Sequence, residues 1–250
     1  MSEHGESHDT RGLGIWTPGA NEAERFREDL YLRIVQTAET MNRILDERMD
    51  SVISNLRKAK ADGNLSEERE DFEMAAVWQD ADHSRHTYNW AHVMLTTRTI
   101  DVLKRLLSDL AAIQPKSKYN KKKSTGRTSE VCLLRSKFVD RFNIAFANSP
   151  TGDSFLEGMA CARNKIVHNR AMLWEESSLP VEIVVEGEHN EWSSCKPDQN
   201  FVADYPEYVG SCDQITVTDA LFNTNVERAL TFVTWVGEQV DSFVRLLSEA

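Results

Sequence analysis

The sequence predicts an all-α protein, an antiparallel helical bundle of four or five long helices with a small β-hairpin insertion before the last one. Two observations carry this. Apolar residues recur at steps of three or four along most of the chain, and only two short β-branched runs, Val181 to Val185 and Ile215 to Val217, break that period.

Residues 1–20 are polar and Gly-rich without apolar periodicity, so they read as a disordered N-terminal tail, and 21–250 as a single helical domain. From Asn21 the series Phe26, Leu30, Ile34, Ala38, Met41, Leu45, Met49, Val52 and Leu56 predicts one long amphipathic helix, ended by the turn-like ADGN. Ser66 followed by Glu67 and Glu68 suits the start of a second long helix, because a side-chain oxygen and acids satisfy the exposed N–H groups of a first turn. Its apolar face takes in Phe72, Ala76, Trp90, Val93, Ile100, Leu103, Leu107 and Leu110, and Pro115 requires it to have stopped. A third helix is expected over roughly Thr128 to Ala147 through Val131, Leu134, Phe138, Phe142 and Phe146. A fourth begins near Asp153. The β-insertion would occupy 180–217, and Asp219 would cap the last helix, from Leu221 to Leu247.

Composition bounds the function. No apolar run approaches the length that spans a bilayer, and the N-terminus lacks a cationic start followed by an apolar stretch, so a soluble, cytoplasmic chain without membrane contact is expected. Cys132, Cys161, Cys195 and Cys212 are widely spaced and form no CxxC pair, which signals neither zinc nor a disulfide framework. The formal net charge of -11 argues against coating nucleic acid through bulk electrostatics. Charge is nonetheless uneven. The basic loop 114–128 contains QPKSKYNKKKSTGR, with six Lys/Arg and no acid, and Arg135, Lys137 and Arg141 follow. It is either a solvated loop or a local cationic patch in which Lys121, Lys122 and Lys123, joined by Arg170, meet RNA phosphates.

The most informative stretch is GMACARNKIVHNRAML on the fourth helix. Asn164 and His168 are one turn apart and share a face, and Arg163 beside Asn164 reaches the same spot. For a phosphodiester ligand each type has a task. Imidazole exchanges a proton near neutrality, so His168 could deprotonate a ribose 2′-hydroxyl or protonate a leaving oxygen. The guanidinium of Arg163 offers a fixed charge and a fork of donors to phosphate oxygens. Asn164 holds either partner by hydrogen bonding, and neither metal nor cofactor is needed.

The spacing of Arg163, Asn164 and His168 resembles the signature of the HEPN superfamily (higher eukaryotes and prokaryotes nucleotide-binding domain). That resemblance implies a helical bundle with the motif on a late helix, and a homodimer in which two motifs face each other to form a composite ribonuclease site. It also implies a setting in prokaryotic defence or toxin–antitoxin stress response, with an antitoxin or regulatory protein as a possible partner. The catalytic residues it implies are Arg163, Asn164 and His168. The long first helix, the basic loop and the β-insertion lack an obvious family counterpart.

Other signals are weaker. Asp80, Asp82, His83 and His86 offer a metal site no HExxH pattern, and read as polar surface or as an auxiliary acid for the Arg163 site. Trp78, Tyr88 and Trp90 are core residues by helical spacing, with base stacking as the alternative. Trp192 is a contact or a local anchor, and Cys161 a packing residue. No phosphate-binding Gly-rich loop or GxSxG occurs, which disfavours triphosphate hydrolysis and serine esterase chemistry. The competing functions are a non-catalytic HEPN-like module that binds nucleotide, RNA or protein, and a purely structural helical protein.

Overall fold

The computed structural model describes residues 17–113, 129–152, 154–169, 171–173, 198–210 and 214–249, apart from the side chains of 78 and 80–85. Among these the protein is all-α. Its helices are α1 (Pro18–Asp29), α2 (Gln36–Ala61), α3 (Glu67–Ile113), α4 (Glu130–Phe142), α5 (Ser154–His168), α6 (Gln199–Asp204) and α7 (Asp219–Glu249).

The first helix reaches back to Pro18, further than apolar periodicity alone suggests. Proline suits a first helical turn, where its missing N–H would have no intrahelical acceptor. Asp241 of α7 then accepts from the Gly19 and Ala20 N–H groups at 2.8 and 2.9 Å, an N-terminal cap supplied across the bundle. A π-helical turn, Leu30–Val35, joins α1 to α2. The sequence shows why: Phe26, Leu30, Ile34 and Ala38 are spaced by four each time, and every such step overshoots a regular α-helical turn by ~40°. The wider winding lets all four remain buried.

α2 folds back on α3 as an antiparallel arm whose register is fixed by two side-chain contacts. Asn42 donates to the Tyr88 hydroxyl, and Lys60 pairs with Glu70 at 2.7 Å, eighteen residues further along each helix in opposite directions. The other half of α3 runs through the body, packed against α1, α5 and α7. There Leu95, Val102, Leu103, Leu106 and Leu110 meet Phe232, Val233, Val236 and Val240 of α7 in one apolar core. Rings of Phe138, Phe142, Phe146, Phe155, Phe232 and Phe243 contact one another edge-on or tilted beside it.

α4 is shorter than the apolar series suggested. Asn143 takes a left-handed conformation (φ 56°), the Ile144 N–H bonds back to the Phe138 carbonyl, and the chain continues into a 3₁₀ turn at Phe146–Asn148. The expected β-hairpin over 180–217 forms no strand among the described residues. Residues 198–208 are instead α6, capped by Asp198, and a 3₁₀ turn at Pro206–Tyr208. Ile215 makes only an isolated bridge to Val209, and Gln214 one to Met172, while the segment expected to link the two extended runs is helical over 199–204 and 206–208. The run from Val181 to Val185 and Trp192 lie outside the described residues. No helix among the described residues is long and apolar enough to cross a membrane.

Candidate functional site

α5 divides cleanly into two faces. Phe155, Leu156, Met159, Ala162 and Lys165, with Asn169 just beyond, recur at helical spacing and are buried. The opposite ridge carries Arg163, Asn164, Val167 and His168, of which the last three are exposed and Arg163 is half-buried. The three residues singled out by the sequence therefore share one ridge that solvent reaches.

Within it the Arg163 guanidinium donates through Nη1 to Asn164 Oδ1 at 2.9 Å. Both side chains line an open groove of about 200 Å³ between α3, the start of α4 and α5, with Thr97, Asp101, Lys104 and Glu130 on the other walls. Lys104 and Glu130 form an ion pair across it. His168 stands outside this groove, one turn beyond Asn164 at the end of α5. The chain thus assembles the guanidinium and amide but presents the imidazole separately.

A second groove of about 450 Å³ continues along α3 and α4, sharing Lys104 and Glu130 with the first and adding Lys137 and Arg141 above a floor of Leu107, Ala111 and Leu134. Part of the cationic character expected after the basic loop is therefore next to Arg163, although Arg135 is tied to Glu157 at 2.9 Å. Lys121, Lys122, Lys123 and Arg170 lie outside the described residues.

Lys165, between Asn164 and His168 in sequence, points the other way. Its ammonium pairs with Asp198 at 2.7 Å and sits 5.3 Å from the centre of the Phe201 ring. Asp198 also accepts from the Phe201 N–H, capping α6, so one carboxylate joins α5 to the segment before α7. Burial opposes ionisation of Asp198, but the Lys165 hydrogen bond and charge, with the Phe201 and Asn200 N–H groups, outweigh it and hold the carboxyl below its ordinary range. Sequence reading missed this role; the signal was a lysine at an apolar-face position of an amphipathic helix.

Behind α5 lies a polar stripe on α3. Asn89, His92, Thr96 and Thr99 are all buried, and the threonine hydroxyls donate to the His92 and Leu95 carbonyls. The His92 ring stands edge-on to Tyr208, whose hydroxyl accepts from Asn225. Burial lowers the His92 pKa to about 4, partly opposed by the backbone of Met159. The buried His92 ring sits where the charged form is disfavoured.

The remaining sequence signals separate. Asp80, Asp82, His83 and Trp78 have side chains outside the described set, and His86 is exposed. Tyr88 is a core residue against Phe222. Trp90, expected in the core, is 63% exposed, because it lies ~200° around α3 from Tyr88 and faces away from α7. Cys161 keeps exposed surface at the edge of α5, while partial desolvation and the Glu157 charge push its thiol up, the reverse of an activated nucleophile. No group of three or more His, Cys, Asp or Glu able to hold a metal converges among the described residues. Comparison with family models, curated proteins and solved structures gave no match.

Proposed function

We propose that the chain is a metal-independent endoribonuclease of HEPN type, acting as a homodimer whose two α5 ridges form one composite site. The observation that carries this reading is the solvent-facing row of half-buried Arg163 with exposed Asn164 and His168, on a helix whose other face is committed to the core. Packing does not require such a row, and its guanidinium, amide and imidazole are groups able to bind and act on a phosphodiester.

In the proposed reaction His168 accepts the proton of a ribose 2′-hydroxyl, the 2′-oxygen attacks phosphorus, and the 5′-oxygen leaves with a proton from His168 of the partner subunit. The products are a 2′,3′-cyclic phosphate and a 5′-hydroxyl. Arg163, oriented by Asn164, stabilises charge on the non-bridging oxygens. RNA flanking the scissile bond meets Lys104, Lys137 and Arg141 in the adjoining groove, with Lys121, Lys122, Lys123 and Arg170 as further contacts. By the same resemblance, the setting is cytoplasmic defence or a toxin–antitoxin pair, with an antitoxin or regulator as partner.

The direct test is cutting of single-stranded RNA by purified protein in EDTA. Arg163→Ala and His168→Ala should each abolish it with an unchanged circular dichroism spectrum; undiminished cutting by both variants removes the assignment. A non-catalytic binding module is the second reading, favoured by the position of His168 outside the groove that holds Arg163 and Asn164. Tight RNA or nucleotide binding without turnover would select it.

A further inference from the structure

The α2–α3 arm carries an apolar stripe that its two helices do not cover. On α2, Asn42, Leu45, Met49, Val52, Leu56 and Ala59 follow alternating steps of three and four, the spacing of a coiled-coil seam, yet each is only half-buried. Along the distal arm an open groove of about 380 Å³ runs between the helices, lined by Val52, Leu56, Ala59, Leu65 and Glu73. Met41 and Ile44, both exposed, lie on the same helical row of α2 as Val52 and Ala59, with Arg48 and Asn55 between them.

The outer line of α3 exposes two large aromatic side chains, with polar Gln79 and His86 between them. Phe72 is 74% exposed and Trp90 63%, and their separation of eighteen positions makes about five whole turns, so they point in one direction. Met94 follows Trp90 by one turn, and Thr97, Asp101 and Lys104 continue the same row into the groove that holds Arg163 and Asn164. Exposed aromatics in a row that ends at a functional groove are not explained by monomer packing.

Charge selects the occupant. Beyond the Lys60–Glu70 pair within the arm, the last turns of α2 carry Arg57 and Lys58, and the first turns of α3 carry Glu67, Glu68, Asp71 and Glu73 beside Arg69. Because the helices run antiparallel, these opposite charges stand at the same height on the arm. A two-fold axis parallel to the arm therefore sets the basic end of each α2 beside the acidic start of the other α3.

We infer that the arm docks on the arm of a second copy of this chain, closing the half-covered seam into a four-helix bundle. This axis keeps both bodies at the same end, the arrangement a shared His168 cleft requires. The inference deepens the nuclease reading and rests on it for its consequence, while the association itself is read independently of cleavage.

The test is sedimentation velocity on the full chain at low micromolar concentration. Wild type should be a dimer, and Phe72→Glu with Trp90→Glu should weaken association at least about a hundredfold, as loss of two aromatic anchors does, with an unchanged circular dichroism spectrum. In addition, Arg57→Glu/Lys58→Glu and Glu68→Lys/Glu73→Lys should each be monomeric alone and form a heterodimer when mixed. A monomeric wild type, a dimer indifferent to the arm substitutions, or a mixture that stays monomeric overturns the inference. A dimer that responds as described but cuts no RNA upholds the interface and removes only the nuclease reading.

Discussion

The Arg163 guanidinium donates to the side-chain oxygen of its own neighbour, Asn164, at 2.9 Å. A long half-buried side chain is thereby held at the groove, with one nitrogen engaged and further donors left in the fork for a phosphate. If this bond orients the cation for catalysis, Asn164→Ala should lower kcat by about 10- to 100-fold with a smaller effect on KM, because orientation matters most in the transition state. Arg163→Lys should fail to restore the rate, since an ammonium cannot bridge two oxygens in a plane. Single-turnover cleavage of a short RNA in EDTA checks both.

Lys165 and Asp198 should matter for folding rather than turnover. Lys165→Met leaves a partly buried carboxylate without its cation, and a loss of roughly 2 kcal/mol is expected in denaturant titration, below the fully buried case because Asp198 keeps some solvent. The Asp198 carboxyl is depressed in the folded chain, so its contribution is present above the ordinary carboxylate range and disappears as pH falls through the lower folded value. Lys165→Met should remove that acid-side loss.

His92 gives a separate acid window. Its pKa falls from 6.5 to about 4 on folding, so below 6.5 the unfolded chain binds a proton that the folded chain refuses. Stability should therefore decline from pH 6.5 down to about 4, by roughly 3 kcal/mol in total. His92→Leu should flatten this part of the profile in thermal unfolding followed against pH.

Gly19 and Gly237 allow α1 to lie directly on α7. A Cβ on Gly19 would come within 1.9 Å of the Gly237 carbonyl oxygen, so the helices must separate. Gly19→Ala is expected to cost about 1–3 kcal/mol as overpacking, and Asp241→Ala about 1–2 kcal/mol through loss of the cap it supplies to α1. Melting temperature reads both.

Helical class and most element positions were legible because amphipathic spacing is a local property. The series from Phe26 to Leu56, the stop before Pro115 and the inward face of α7 needed no tertiary information. What escaped depended on partners distant in sequence. Asp241 capping α1 and Lys165 reaching Asp198 are long-range pairings that leave only a charged residue on an apolar face as a trace. Trp90 was misplaced for a related reason: spacing shows that residues share a face, but only packing shows which face α7 covers. At the site, sequence correctly placed Arg163, Asn164 and His168 on one helix, whereas the groove walls from α3 and α4, Asp101, Lys104 and Glu130, come from three-dimensional packing and had no motif to announce them.

In the proposed reaction the α5 ridge promotes attack of the ribose 2′-oxygen on phosphorus. That step is tested most directly by analysing the 3′ ends of fragments from a 5′-labelled single-stranded RNA incubated with the full chain in EDTA. Wild type should leave 2′,3′-cyclic phosphate ends and His168→Ala should leave none. Ends bearing a free 3′-hydroxyl, or cyclic ends produced as fast by His168→Ala as by wild type, would contradict it.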